Sequence, residues 1–263
     1  HLCRVMVDNE FETHSRHLSQ VLRSQSLASR VLGHHAKTVG EEYLVGTLKD
    51  TVRRLIDADL VLEVDANRAP PAVVQRSLAE LKRWSEEFAV AICSDASVDA
   101  MPVPMRAICS AMHQACGRYA LGETATSALT GGYLILRFFN PALTTPMSPV
   151  EAFLSLRGIN YNQACRRNLL LVAKVLQAAA NGKPFETGTT LNSLNGHVAQ
   201  MFGRMCSFLS ACAKPPLIPA SQEGAVDVRG DVNSGCKARG AGRGSASSHC
   251  RCRGRRSRCS GLR

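Results

Sequence analysis

A chain of 263 residues with 45% apolar but only 5% aromatic side chains is long enough to bury a sizeable core and would pack it mainly with Leu, Val, Ile and Ala. The net charge of +11 is uneven: residues 215–263 carry +7 and the first 214 only +4, so a nucleic-acid reading of the basic balance would concern the tail alone. Apolar runs such as LLLVA at 169–173, ended by Lys174, are too short to span a bilayer, and eleven irregularly spaced cysteines outline no disulfide framework.

In chain order, the first notable stretch contains no Asp or Glu, from Thr13 to Gly40. Within it, LRSQSLASR places Arg23 ahead of a Ser-Gln-Ser turn that opens an apolar-periodic segment. An arginine at a helix entrance without a nearby carboxylate in sequence is either hydrated or waiting for an anion on another molecule. Arg16, Arg23, Arg30 and Lys37 recur every seven residues, a spacing that a solvated face explains equally well.

Further on, Thr38 and Glu41 stand in capping-box relation, with Leu44, Leu48, Val52 and Leu55 on one helical face behind them. Pro70-Pro71 open a helix with Val74, Leu78, Leu81, Phe88 and Ile92 at core spacing. Pro104 leads another, with Met105, Ile108, Met112, Cys116 and Tyr119 inward. A helix is expected over about 122–139, closed by NPALTTP because proline disfavours helical geometry in the residue before it. Segments near 149–158, 160–181 and 190–212 complete an all-α reading of eight to nine helices, with no period-2 strands. Cys93, Cys109, Cys116, Cys165, Cys206 and Cys212 fall in or beside these apolar patterns and read as reduced, small hydrophobes in a cytosolic setting.

The expected division is a helical domain at 1–213 and a Gly/Ser/Arg-rich disordered tail at 214–263. The start at His1, without a signal-peptide pattern, reads as a piece of a longer protein. In the tail, HCRCRGRRSRC offers His249, Cys250, Cys252 and Cys259, but at no standard structural zinc spacing, so no metal site is expected.

Two further stretches carry polar groups in apolar settings. In GGYLILRFFNPALTTP (131–146), Arg137 interrupts an apolar helix; in NLLLVAKVLQAAAN (168–181), Lys174, Gln177 and Asn181 form one polar stripe at i, i+3 and i+7. Singly, each has an ordinary reading as a packed stem or an exposed face.

In order and together, these stretches resemble the catalytic domain of the Ras GTPase-activating proteins. The family's finger-loop motif L-F-R-G-N-S-L-A-S-K is met by Val21 through Arg30, its F-L-R-F-x-x-P-A-I-x-x-P by ILRFFNPALTTP at 135–146, and its L-x-L-x-x-K-x-x-Q-x-x-A-N by Leu169 through Asn181. EVD at 63–65, VPMRAI at 103–108 and MFGRMCSFLSA near 201–211 are weaker echoes. Leu22 stands for the motif's Phe, Ser24 for its Gly and Ile135 for its first Phe, and loss of the glycine should narrow the loop's dihedral freedom.

The resemblance implies a GTPase activator that inserts Arg23 in trans, with Arg137 bonding finger-loop carbonyls. Leu22, Ser26, Leu27, Leu136, Asn140, Pro141, Lys174, Gln177 and Asn181 would then meet the GTPase. It implies a Ras-type small GTPase in its GTP-bound form as partner, no cofactor of the domain's own, action on the GTP and Mg²⁺ that the partner holds, and down-regulation of Ras signalling. Independent hydrolase activity is not expected, since no phosphate-binding glycine loop and no nucleophile–base pair is found. The expected location is cytoplasmic, with recruitment to the inner face of the plasma membrane and anionic-membrane contact through the tail; nucleic acid is not an expected partner. The alternatives are a non-activating GTPase-binding scaffold of the same fold, and RNA or anionic-membrane binding through the basic tail.

Overall fold

A computed structural model describes residues 2–22 and 25–214, and the tail expected to be disordered lies outside the described residues. Among the described residues the secondary structure is helical, without strands. The chain runs through α1 (Leu2–Thr13), a 3₁₀ turn (Leu18–Gln20), α2 (Leu27–Val39), α3 (Glu41–Asp57), α4 (Pro71–Ile92), α5 (Asp95–Ala100) and α6 (Val103–Arg118). It continues with α7 (Glu123–Gly131), a π-helical segment (Gly132–Phe139), α8 (Asn140–Thr144), α9 (Pro149–Ser155), α10 (Gln163–Asn181), a second 3₁₀ turn (Thr190–Leu194) and α11 (Asn195–Ala213).

Helix α10 is central, packing against α4, α7, α8 and α11. Leu169, Val172, Val175, Leu176, Ala179 and Ala180 are all fully buried, three sides of the helix being apolar. Around it, α6 pairs with α11, α3 lies on α4 and α9, and α1 is held between α6 and α2. The expected core faces are buried: Leu44, Leu48, Val52 and Leu55 on α3, Val74, Leu81, Phe88 and Ile92 on α4, Met105, Ile108, Met112 and Cys116 on α6. Burial also pushes the Cys93 and Cys109 thiols up to about 12, which keeps them protonated and unreactive at neutral pH.

Two boundaries differ from the sequence expectation. Helix α2 runs through Thr38 to Val39, and the Thr38 hydroxyl donates to His34 O rather than capping α3. Gly40 makes the joint instead; an added Cβ there would lie 2.7 Å from the Phe138 ring and from Ala36 O, so only glycine lets the π-helical segment approach. The second difference is at Pro141, which does not end the helix. The Asn140 N–H reaches Ile135 O, five residues back, and the widened turn accepts a proline with no N–H to give, so that α8 carries on to Thr144. Helix α10, by contrast, ends in the usual way, on Gly182 in the left-handed region at φ 58°.

Behind the π-helical segment an aromatic cluster fixes its position. Tyr43 lies 5.9 Å from Phe138 and 5.8 Å from Phe139, and Phe138 and Phe139 meet edge-on at 5.1 Å. Phe139 also reaches Phe208 of α11 at 6.5 Å. The Tyr43 hydroxyl, buried deeply enough to raise its pKa well beyond the usual range, hydrogen-bonds Ser97 Oγ at 2.9 Å.

Candidate functional site

The loop after the first 3₁₀ turn is held from three directions at Leu22. Its side chain is 1% exposed, packed with Val21 into the core. Its N–H donates to Glu10 Oε1 of α1 at 3.0 Å, and its carbonyl accepts from Arg137 Nε at 2.7 Å. Its φ is 56°, in the left-handed region, which costs a leucine about 1–2 kcal/mol and persists only where the surroundings dictate it. Leu22 was expected to face the partner; the structure corrects this, because the side chain is spent in the core and only the peptide shapes the loop. Arg23 and Ser24, which follow it, lie outside the described residues.

Arg137 projects from the π-helical segment and is partly buried; that burial draws its pKa down, while the nearby Glu10 carboxylate opposes the change. Glu10 is itself only 2% exposed, with His14 Nδ1 3.7 Å from its Oε1. The sequence reading missed Glu10. It sits three residues ahead of the acid-free stretch, on a helix that had not been anticipated, and nothing local pairs it with Leu22 or Arg137.

Downstream, Ser26 caps α2 by accepting from the Ser29 N–H at 3.0 Å, and the Ser29 hydroxyl donates back to Ser26 O at 3.0 Å. Leu27, one residue on, is 69% exposed. Between α2 and the π-helical segment runs an open groove of about 580 Å³ lined by Ser29, Arg30, Gly33, Lys37, Leu136, Arg137 and Pro141, among others, with no carboxylate in its lining. The groove is therefore cationic and suited to a negatively charged surface.

The polar stripe of α10 adjoins this groove through Asn140. Asn140 Nδ2 donates to Ala173 O at 3.2 Å and to Gln177 Oε1 at 3.1 Å, and Gln177 Nε2 donates to Asn181 Oδ1 at 3.1 Å. A backbone carbonyl can only accept, so Ala173 O fixes which end of the Asn140 amide faces α10, and the order of donors along the stripe follows. Asn140 was expected to touch the partner, but it is 92% buried and acts as a brace beneath the stripe. Lys174 is exposed, and no carboxylate of the described residues pairs with it. Leu136 and Pro141 remain accessible, Gln177 and Asn181 half-buried. Thus Arg137, Asn140 and Pro141, close together in the chain, bring the loop, the groove and the stripe onto one region of the molecule.

Residues 66–181, from the approach to α4 to the end of α10, match the family of GTPase-activator proteins for Ras-like GTPases. The chain is thus similar to the Ras GTPase-activator family. It is 28% identical over 234 residues to neurofibromin-A of Dictyostelium discoideum, covering 82% of this chain and 25% of that one. It is 28% identical over 207 residues to inhibitory regulator protein IRA2 of Saccharomyces cerevisiae, covering 78% and 6%. It is also 28% identical over 214 residues to RAS protein activator like-3 of Homo sapiens, covering 79% and 20%. The chain spans a quarter or less of the length of these relatives. Two of the weaker echoes make contacts within the fold: Glu63 of EVD pairs with Arg167 at 2.6 Å, and Arg106 of VPMRAI is buried, donating to Met101 O and Val98 O.

Proposed function

We propose that this domain accelerates GTP hydrolysis by a Ras-type small GTPase in its GTP-bound form, with Arg23 supplied in trans to the partner's nucleotide site. Phosphoryl transfer to water asks little covalent chemistry of the protein. It needs a positioned water and cations for the charge that spreads over the transferring group. Arginine suits this role because its planar guanidinium stays charged and offers two donors at once to phosphate oxygens. In Ras and its activators, from which the magnitude is taken, such an arginine raises the rate by roughly 10³–10⁵, or about 4–7 kcal/mol of barrier.

The observation that carries the reading is the doubly bonded Leu22 peptide. Arg137 Nε and Glu10 Oε1 tie down the residue covalently joined to Arg23, which is what an arginine that must arrive in one geometry requires. The cationic groove and the α10 stripe support it: Lys174 would answer acidic side chains of the partner, and the Gln177 and Asn181 amides its backbone groups. GTP and Mg²⁺ would be the partner's. Down-regulation of Ras signalling at the cytoplasmic face of the plasma membrane would follow from that activity, with the basic tail offering charge to anionic lipid.

Single-turnover hydrolysis by a GTP-loaded Ras-type GTPase, with and without this chain, tests the proposal. The wild-type chain should accelerate it, and Arg23→Ala should abolish nearly all the acceleration while preserving affinity for the same GTPase loaded with a non-hydrolysable analogue. Tight binding without acceleration by the wild type would select the non-activating scaffold; equal losses of binding and turnover in Arg23→Ala would make that residue a docking contact.

A further inference from the structure

We infer that Glu10 is a positioning residue for the arginine loop, acting through the Leu22 N–H; this rests on the reading of Arg23 as the arginine delivered to the partner. A carboxylate that is 2% exposed is costly unless its charge and its lone pairs are both answered. Here one oxygen accepts from the Leu22 N–H, and the Arg137 guanidinium is near enough for the two charges to influence each other. The same Arg137 holds the other side of Leu22, at its carbonyl. Glu10 is itself immobilised, since Val7 and Phe11 on either side of it in α1 are 1% and 0% exposed.

Leucine does not rest in the left-handed region without help. With Arg137 alone, the Leu22 carbonyl would be held while its buried N–H lost its acceptor, and the residue could turn towards ordinary extended or helical dihedrals. The direction in which the chain leaves Leu22, and so the direction taken by Arg23, would then be shared among several conformers. A catalytic group that is correctly placed for only a fraction of the time lowers the saturating rate by that fraction, without weakening contacts made elsewhere on the surface. A merely stabilising buried glutamate would not divide rate from affinity in that way.

The test uses the 263-residue chain with Glu10→Ala, Glu10→Gln and Glu10→Asp. Glutamine is isosteric and its amide oxygen can accept the same N–H; aspartate keeps the charge but withdraws it by one methylene. At saturating activator, Glu10→Ala and Glu10→Asp should slow single-turnover GTP hydrolysis by about tenfold or more, with affinity for the analogue-loaded GTPase changed less than about twofold, and Glu10→Gln should keep most of the rate. In the isolated chain, hydrogen exchange at the Leu22 amide should quicken by about tenfold or more in Glu10→Ala and Glu10→Asp, and return towards wild type in Glu10→Gln. The inference is overturned if folded Glu10→Ala or Glu10→Asp retains the full saturating rate, if Glu10→Gln is as impaired as Glu10→Ala, or if Leu22 exchange is unchanged. Absence of stimulation by the wild type would instead reject the role given to Arg23, and the exchange measurement would still report whether Glu10 holds the loop.

Discussion

Around Leu22 the positioning bonds come from residues 12 and 115 places away in the sequence, whereas on α10 Gln177 and Asn181 are four residues apart and the helix aligns them unaided. The loop is therefore a product of tertiary packing: α1, the π-helical segment and the core must all be in place before its geometry exists. The stripe is a local product, needing only that α10 be helical and that Asn140 brace it from below. Damage to remote packing should thus reach the loop first, and through it turnover, while the stripe should respond to changes on its own surface and govern affinity.

The largest effect should come from the loop's own product. Arg23→Ala is expected to reduce stimulated hydrolysis by roughly 10³-fold or more in single-turnover assays, with binding nearly intact. Arg137→Ala, which leaves the Leu22 carbonyl without its donor, should lower the saturating rate by about 10–100-fold and leave affinity almost unchanged. A pair of glycine substitutions sharpens the comparison. Gly40→Ala forces a methyl group to 2.7 Å from the Phe138 ring, next to Arg137, and should cost about 1–3 kcal/mol by chemical denaturation and slow turnover as well. Gly182→Ala, at φ 58° and 2.8 Å from Phe202, should destabilise by a similar amount at the end of α10, with turnover at saturation preserved in the folded fraction. An equal effect of both on the saturating rate would erase the distinction between the two regions.

Lys174→Ala should weaken association about tenfold at low ionic strength, less as salt is raised, with no change in the rate at saturation. The smallest effect concerns a residue remote from both regions. Burial lowers the pKa of His197 below its ordinary 6.5, the Glu86 carboxylate opposing this and Lys82 and Arg204 adding to it. The neutral ring is thus favoured in the folded state, and the unfolded chain binds the proton more readily in the window below 6.5. The stability from this group is complete above that pH and declines as pH falls through the window, by less than about 1.4 kcal/mol per pH unit. His197→Gln should flatten that part of the stability profile, measured by denaturation between pH 7 and 5, and leave stimulated hydrolysis at neutral pH unaltered.

What could be read directly from the sequence follows the same division. The i, i+3, i+7 spacing of Lys174, Gln177 and Asn181, and the apolar faces of α3, α4 and α6, depend on helical periodicity and appear in the structure where the periodicity puts them. The Thr38–Glu41 capping box did not form, because α2 extends past Thr38 until Gly40 meets Phe138, a contact nearly a hundred residues distant. The six-residue α5, although capped by Ser94, is too short to show an apolar period, and α1 has no acidic residue in its first turn to mark its start, so Glu10 is not legible on it. Leu22 is set against the GTPase only by the family resemblance; its burial reflects a left-handed turn that no local residue requires.

The π-helical winding of residues 132–139 has one more consequence. In an α-helix, positions three apart lie above one another on the same side, so Arg137 and Asn140 would compete for one neighbour. Looser coiling advances fewer degrees with each residue and fans the two side chains outward, the guanidinium to the loop and the carboxamide to α10. Deleting a single residue in this stretch would tighten the coil and swing one of the pair off its target, so a length change here should be tolerated far less well than any substitution of the same volume.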